Sequence, residues 1–385
     1  MYVSFTAPRV FDDVLTEGSF DGFGSYPEYM QFSAAFKNIG RVGMHWYLLF
    51  QHHTTLDILH SQTDENDLFT ITGTGWHFIK YMGPTVAVVG LDTRSERNQH
   101  QVMAGPTYQG IFPKIATLPA SIQHAILAIS VPVIYPRMDT AEHMVATAQA
   151  GKKAVTGTYN LLGKLAGSAA GVIGAKEVVN SGFQSVKKTV GKHGLMGSVV
   201  NVFGEVELLD DLRDHWTHES KDLERTYLIR TLQGISHSRG IRITFLSGAV
   251  HLCGAGLVHD PNVPLDHKTM YQVICSAMVD APPPGYLLKM LHNNKVLYVP
   301  QNGLRSTNAP SDTKEDMMEV FPAEVDGRTR EYRRLMAKRG YTIFTAFDAE
   351  KGTSLAVDFM VQGEGIYAQT GKYGPVVVPR LEMGF

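Results

Sequence analysis

The clearest strand pattern in the chain is an alternation of apolar and polar residues that begins at Ile241. Apolar positions fall on one face of an extended segment and polar positions on the other: Ile241, Ile243 and Phe245 against Arg242 and Thr244. A period of two is typical of a β-strand. The pattern stops at Ser247-Gly248, and a single histidine, His251, follows at the predicted turn.

Continuous apolar runs elsewhere predict strands that are buried on both faces. Such runs cover 85–90, 125–133 and 271–277. Shorter patterns predict further strands over 76–81, 293–299 and 341–347 and a terminal hairpin formed by 354–361 and 365–368.

Helical periodicity predicts helices over 27–36, 43–53, 139–149 and 221–235, and a basic helix over 328–339. The helix over 221–235 leads directly into the strand at Ile241. We expect its inward face to consist of Leu223, Tyr227, Thr231, Leu232 and Ile235.

Composition restricts the class of protein. The chain has 385 residues, of which 44% are hydrophobic and 19% charged, so it can bury the core of one large or two small domains. The net charge of −2 gives no global attraction to nucleic acid. We expect neither a signal peptide nor a membrane span, and two cysteines in apolar surroundings suit a reducing compartment. A cytoplasmic protein is therefore expected, with peripheral membrane contact left open.

The segment Gly151–Phe203 differs from the rest in charge. It contains seven lysines and a single acid, Glu177, which leaves a local charge of +6, and it is rich in glycine, alanine and serine. We interpret it as an insertion between core elements. It is either a basic amphipathic surface that contacts an anionic membrane or a partner, or a mobile, solvated insertion, which its glycine content favours.

Two places carry candidate chemistry. The apolar run at 85–90 continues into Leu91-Asp92-Thr93-Arg94-Ser95-Glu96-Arg97. Guanidinium groups bind phosphate oxygens well, so Arg94 and Arg97 are candidate anion contacts; the alternative is an Asp-Arg pair that fastens the loop. His251 stands where sheet enzymes place metal ligands and catalytic groups, but a core histidine bonded to a carbonyl has the same pattern.

Several segments together resemble the PhoD-like phosphatases, in the fungal PhoD-related branch of the metallophosphoesterase superfamily. They are Asp21-Gly22-Phe23-Gly24-Ser25-Tyr26-Pro27, Gly90–Phe112, Val131–Arg137, Leu209–Arg225, Ile241–Gly256 and Met270–Pro284. The resemblance implies an α/β, calcineurin-like metallophosphoesterase fold, a sandwich of two sheets flanked by helices. It also implies a single partial domain over 1–385, with the insertion at 151–203 and a charged connector at 310–340.

The resemblance further implies a metal-dependent phosphatase that hydrolyses phosphate esters with divalent or trivalent ions such as Ca or Fe. By the same resemblance, Arg94 and Arg97 would hold the substrate phosphate. Glu17 and His251 would bind metal, and His251 is also the catalytic candidate.

Two departures from the family pattern concern the metal site. Where members have Asp-Asp-His-Asp, this chain has Leu15-Thr16-Glu17-Gly18, and where they have Ser-Gly-Asp-Val-His it has Ala249 in place of the acid. The first aspartates of the family would lie upstream of Met1. We therefore expect a truncated N-terminus and a degenerate metal site. The chain is then an active phosphatase, a non-catalytic remnant that acts as a binding or membrane-surface module, or a product whose missing exons hold the site.

Overall fold

The computed structural model describes residues 34–61, 68–69, 76–93, 96–97, 100–137, 215–249, 252–278, 282, 285–292, 296–301, 305–350, 352–365 and 369–382. Within these residues the helices are α1 (Ala34–Gln51), α2 (Leu56–Ser61), α3 (Gly105–Ala116), α4 (Asp222–Arg239) and α5 (Gly285–His292). None of these helices combines the length and the apolar composition needed to cross a membrane.

The strands are β1 (Leu68–Phe69), β2 (Trp76–Tyr81), β3 (Val86–Gly90), β4 (His124–Ile129), β5 (Arg242–Gly248), β6 (Cys253–His259), β7 (Met270–Cys275), β8 (Leu297–Tyr298), β9 (Lys314–Met317), β10 (Leu335–Met336), β11 (Gly340–Ala349), β12 (Gly352–Gln362) and β13 (Thr370–Val378). They form a ten-stranded mixed sheet in the order β1-β2-β3-β4-β5-β7-β6-β9-β8, with β10 beside β6, and a three-stranded antiparallel sheet β11-β12-β13.

The centre of the large sheet is parallel. Strands β3, β4, β5 and β7 pair with one another in the same direction, and the other pairs in this sheet are antiparallel. The predicted strands at 85–90 and 271–277 are confirmed, and the run at 125–133 forms a strand as far as Ile129. Since parallel strands are covered on both faces, their sequences are continuously apolar.

The large sheet separates two hydrophobic cores. Ala87 and Val89 of β3 pack on the side of α3 and α4, in a cluster with Ile243 and Phe245. Their neighbours on the opposite face pack against the three-stranded sheet: Val86, Val88 and Leu246 share a cluster with Leu355, Val357 and Phe359 of β12. The described chain is thus a mixed α/β protein with helices, a large sheet and a small sheet in three layers.

One sequence expectation about a helix face is right in part, and one about a helix is wrong. On α4, Leu232 and Ile235 are buried as expected, whereas Leu223 and Tyr227 are exposed, because the inward turn of the helix carries polar residues, among them Asp222 and Arg225. Residues 328–339 form no helix; Leu335–Met336 pair with β6 instead, and Arg330 donates hydrogen bonds to local carbonyls. The polar face of β5 is also buried, because the small sheet and its flanking segments cover it.

His124, the first residue of β4, connects the two sheets. Its Nε2 lies 2.8 Å from the carbonyl oxygen of Thr353 on β12, and the side chain is fully buried. Burial lowers the pKa of His124 from 6.5 to about 4, although the hydrogen bond to Thr353 opposes that shift. The histidine is therefore neutral in the folded protein near pH 7, with the Nε2 proton donated to the carbonyl.

We expect the free energy of unfolding to fall by on the order of 3 kcal/mol through His124 alone as the pH drops from 6.5 to 4. In this window the unfolded chain takes up a proton that the folded chain does not, so stability rises with pH. Urea unfolding as a function of pH measures the effect. In His124→Gln, whose amide does not titrate, the slope of the free energy of unfolding against pH should fall by the equivalent of about one proton. Equal slopes for the two proteins would contradict the prediction.

Candidate active site at the carboxyl edge of the large sheet

The four parallel strands end at the same edge of the sheet. Gly90 of β3 lies beside Ala128 of β4, Ile129 lies beside Ser247 of β5, and Gly248 lies beside Cys275 of β7. Open α/β sheets bind ligands outside the carboxyl ends of their strands. The loops that follow β3, β4 and β5 therefore form the candidate site.

The loops after β3 and β4 are joined by hydroxyl groups and an arginine. The Oγ1 atom of Thr93 lies 2.7 Å from the Oγ atom of Ser130 and accepts a hydrogen bond from the Ser130 backbone N–H at 3.1 Å. Nη1 of Arg97 donates to the carbonyl oxygen of Thr93 at 3.2 Å and to Ser130 Oγ at 3.4 Å. Arg97 is fully buried, so its guanidinium fixes the two loops to each other from below the surface.

Asp92 ties the end of β3 to the neighbouring strand β2. Its Oδ2 atom accepts a hydrogen bond from the backbone N–H of Trp76 at 3.1 Å, and its own N–H donates to Nδ1 of His77 at 3.0 Å. Because Nδ1 is the acceptor, the ring proton of His77 is on Nε2. Burial lowers the pKa of His77, with Asp92 and Glu96 opposing the shift, so this ring is neutral near pH 7.

Two glutamates hold the loop that leads into α3. Glu96 accepts hydrogen bonds from the Ala104 N–H at 2.9 Å and from the Thr107 hydroxyl, at the first turn of the helix.

Glu224 of α4 accepts hydrogen bonds from the N–H groups of Val102 and Met103, at 2.8 and 2.9 Å, and from the Tyr108 hydroxyl. Burial raises the pKa of Glu224, and the hydrogen bonds from Tyr108, Met103 and Val102 oppose this rise. Both carboxylates thus cap backbone groups of the protein.

Arg225 lies at the centre of a buried charged network under the loop after β4. It is fully buried, its Nε donates to the carbonyl oxygen of Val133, and both terminal nitrogens contact the carboxylate of Glu315 on β9. Burial alone disfavours ionisation, but the Arg225 guanidinium holds the pKa of Glu315 below its usual value. The bidentate pair therefore stays charged at neutral pH.

Asp222 completes the network. Its Oδ1 pairs with Nη2 of Arg137, and its Oδ2 accepts a hydrogen bond from the Ser306 N–H at 3.1 Å. Arg137 follows β4 in the chain, and Asp222 is the first residue of α4. The network thus connects the candidate site to the helix that leads back into β5.

Gln272 connects the same loop to β5 and β7. Its Oε1 accepts hydrogen bonds from the N–H groups of Val133 and Ile134, at 2.9 and 3.3 Å, and its Nε2 donates to Ser247 Oγ at 3.0 Å. The side chain is fully buried. The amide of Gln272 therefore links three segments: β7, on which it lies, β5, and the loop after β4.

Comparison with known proteins identifies the family to which the chain belongs. A family model described as PhoD related phosphatase matches residues 7–385. The chain belongs to the PhoD related phosphatase family. It is also 28% identical over 366 residues to the uncharacterized protein YGR266W of Saccharomyces cerevisiae (strain ATCC 204508 / S288c), an alignment that covers 84% of this chain and 45% of the yeast protein. The chain thus spans less than half the length of that relative. No solved structure matches it.

Of the site residues suggested by resemblance to PhoD-like phosphatases, one lies in the described part of the chain. Arg97 is at the carboxyl edge, buried and bonded to Thr93 and Ser130; its contact with substrate phosphate stays a prediction. Arg94, Glu17 and His251 lie outside the described residues.

Sequence reasoning missed the roles of Gln272 and Arg225. Gln272 lies in a predicted buried strand, where a glutamine must find hydrogen-bond partners, and that was the available signal. Arg225 gave no comparable signal, since its partners Val133 and Glu315 lie 92 and 90 positions away in the chain.

The described residues of this member of the PhoD related phosphatase family do not by themselves fit a two-metal centre. In the portion of the chain that the structure describes, no three histidine, cysteine, aspartate or glutamate side chains group as metal ligands. The carboxylates nearest the edge are engaged: Asp92 with Trp76, Glu96 with Ala104 and Thr107, and Asp222 with Arg137.

Proposed function

We propose that this chain is the phosphatase body of a metal-dependent phosphoester hydrolase with a calcineurin-like arrangement. One observation carries the proposal: the parallel ends of β3 and β4 bring the hydroxyls of Thr93 and Ser130 and the charge of Arg97 to one edge. Hydroxyls and a guanidinium are suitable partners for phosphoryl oxygens. Membership of the PhoD related phosphatase family supports the same reaction class.

Within this proposal, His251 is the metal ligand and catalytic candidate. Its place in the chain supports the assignment, because it follows β5 and directly precedes Leu252, which is fully buried. Glu17 is the second proposed ligand. A bound divalent or trivalent ion, Ca or Fe by family resemblance, would polarise a phosphoryl oxygen and lower the pKa of a bound water.

The arginines have different proposed roles. Arg94, outside the described residues, is the proposed direct contact to substrate phosphate. Arg97 supplies positive charge from below the edge and keeps the Thr93 and Ser130 loops together, so its effect on a phosphate depends on the position of these loops. The proposed partner is a phosphate ester. The absence of nucleic-acid binding and a peripheral contact of 151–203 with an anionic membrane both stay predictions.

A second candidate function is a non-catalytic binding module. It is favoured by the methyl group of Ala249 where the family has an acid, and by the engagement of the nearby carboxylates Asp92, Glu96 and Asp222 with protein groups.

Metal analysis combined with phosphoester hydrolysis tests the two candidates. For the enzyme we expect bound metal in the purified protein, and turnover of p-nitrophenyl phosphate or its bis ester that falls at least about 100-fold in His251→Ala, because a metal ligand and catalytic group is removed. His237→Ala, at an exposed position near the end of α4, is the matched control and should retain activity.

A folded protein with no metal and no turnover would reject the enzyme and support the binding module. Ala249→Asp then serves as a further arm of the same assay, since it restores the missing family carboxylate. Ala249 packs against the apolar cluster of Tyr135 and Leu252, so a new carboxylate there should lower the melting temperature in the absence of metal. Recovery of the melting temperature and of turnover with added metal would show that the rest of the metal site is present.

A further inference from the structure

The only two cysteines of the chain lie side by side on neighbouring strands. Cys253 is the first residue of β6 and Cys275 is the last residue of β7, and these two strands are antiparallel. Gly254 pairs with Ile274, so the same register places Cys253 directly opposite Cys275. Opposite residues of an antiparallel pair project to the same face of the sheet, and both cysteines belong to the hydrophobic cluster between the two sheets.

The separation of opposite residues suits a disulfide bond. Opposite Cα atoms in an antiparallel pair are about 4.5 or 5.5 Å apart. Both distances lie within the usual range of about 4.4–6.8 Å between the Cα atoms of a disulfide. The two thiols already interact: burial raises the pKa of Cys253, and the neighbouring Cys275 thiol raises it further. A bond between them therefore requires no large movement of the backbone.

Both cysteines are free thiols in this structure, and Cys253 has a different partner. Its Sγ atom donates a weak hydrogen bond to the carbonyl oxygen of Met336 on β10, at 3.7 Å. Strand β10 pairs with the side of β6 that is away from β7. Rotation about χ1 of Cys253 turns the sulfur from Met336 towards Cys275. Cys253 thus has two alternative partners, a carbonyl group on β10 and a thiol on β7.

We propose that Cys253 and Cys275 are a redox-active pair that hydrogen peroxide converts into a cross-strand disulfide. The sulfur of one thiol attacks the peroxide, so that an S–O bond forms, the O–O bond breaks, and one water leaves with the proton of the thiol. The second thiol attacks the sulfur of this sulfenic acid, the S–S bond forms, the S–O bond breaks, and a second water leaves. The two thiols together lose two protons and two electrons, which the peroxide accepts.

The disulfide fixes the connection between β5 and β6. Gly248, the last residue of β5, pairs with Cys275, and residues 249–252 lead from Gly248 to Cys253. The connection therefore begins and ends beside the last residue of β7. Oxidation adds a covalent bond at its second end, so that both ends are held to the same strand. This inference does not depend on the proposed phosphatase reaction.

Burial determines the conditions under which the disulfide forms. Cys253 and Cys275 are 3% and 4% exposed, and buried thiols react slowly. Hydrogen peroxide is small and uncharged, so it reaches the pair when the ends of the strands open locally. In a reducing compartment the two free thiols are the resting form, because disulfides there are transient.

Peptide mapping after treatment with hydrogen peroxide tests the proposal. Trypsin cleaves after Arg242, Lys268 and Lys289, which places the two cysteines in separate peptides, 243–268 and 269–289. After removal of the peroxide with catalase, we expect these peptides to be joined in the wild-type protein. Both free thiols, counted in denaturant, should disappear, and dithiothreitol should restore them.

The melting temperature provides a second measurement. We expect dithiothreitol to lower the melting temperature of the peroxide-treated wild type by at least about 4 °C, because the disulfide restricts the unfolded chain between residues 253 and 275. Cys253→Ala and Cys275→Ala are the matched controls, since each keeps one thiol and all the methionines but cannot form the bond. Dithiothreitol should leave their melting temperatures unchanged. Each protein is compared with and without dithiothreitol, so any destabilisation by the substitution itself cancels.

Three results would overturn the proposal. Two free thiols that persist in the folded wild type, at a peroxide concentration that removes both in urea, would show that the buried pair is inert. Disulfide-linked dimers on a non-reducing gel would assign the oxidation to a bond between two copies of the chain. Cysteine peptides that carry added oxygen and no cross-link would show that the two sulfur atoms do not meet.

Discussion

Replacement of Arg225 by alanine is expected to lower the free energy of unfolding by about 3–5 kcal/mol. The change removes the partner of the buried Glu315 carboxylate and leaves the carbonyl oxygen of Val133 and the hydroxyl of Ser306 without this donor. An uncompensated buried charge is among the most destabilising defects in a protein. Urea unfolding at neutral pH, followed by circular dichroism, measures the loss.

An exposed arginine provides the control for this prediction. Arg305 pairs with Glu219 at 3.7 Å, and both side chains are more than half exposed. Arg305→Ala should therefore change stability by less than about 1 kcal/mol. Similar losses of unfolding free energy in the two variants would mean that the buried network around Arg225 stabilises the protein no more than an exposed ion pair does. Arg225→Lys should recover part of the stability, because it restores the charge but not the bidentate geometry.

Arg242→Met is expected to destabilise the protein by about 4 kcal/mol. The guanidinium of Arg242, at the start of β5, is fully buried and donates to four backbone carbonyls, those of Leu265, Asp266, Thr269 and Pro379. Methionine keeps much of the apolar stem, so the loss reports chiefly on the hydrogen bonds. Differential scanning calorimetry measures the change.

The carbonyls that Arg242 joins come from the loop before β7 and from the segment after β13. Their loss should therefore loosen these segments first, which hydrogen exchange at 260–269 and 379–382 detects. Arg328→Ala is the control, because Arg328 is 66% exposed and pairs with Asp326 and Glu364 at the surface. Unchanged exchange in Arg242→Met would contradict the assigned role of the guanidinium.

The parallel centre of the large sheet was predictable from the sequence because burial on both faces produces long apolar runs. Val86–Gly90 shows this, since each residue of the strand is buried. Strand β6 was missed because Gly254 and Gly256 weaken the strand pattern. A Cβ atom on Gly254 would lie 2.6 Å from Leu335 Cδ2 and 2.9 Å from the Arg334 carbonyl oxygen. These glycines permit close approach of neighbouring chain segments, a constraint that local sequence does not reveal.

The error at Leu223 and Tyr227 in the expected inward face of α4 has a similar cause. Periodicity treated Tyr227 as core, but its ring makes edge contacts with Tyr108 and Phe112 and remains half exposed, while Arg225 is turned inward by partners distant in the chain. The candidate site was predictable only in part. The arginines that follow the apolar run at 85–90 indicated the loop after β3. The contacts made by Gln272 were not predictable, because they depend on which strands pair.

The stacked rings of Tyr135 and His215, with centroids 5.2 Å apart, bring together the two ends of segment 138–214. The ion pair between Arg137 and Asp222 fixes the same junction. The chain between β4 and α4 therefore leaves and re-enters the described structure at one place, which is held by contacts among residues outside 138–214 and does not depend on the residues in between.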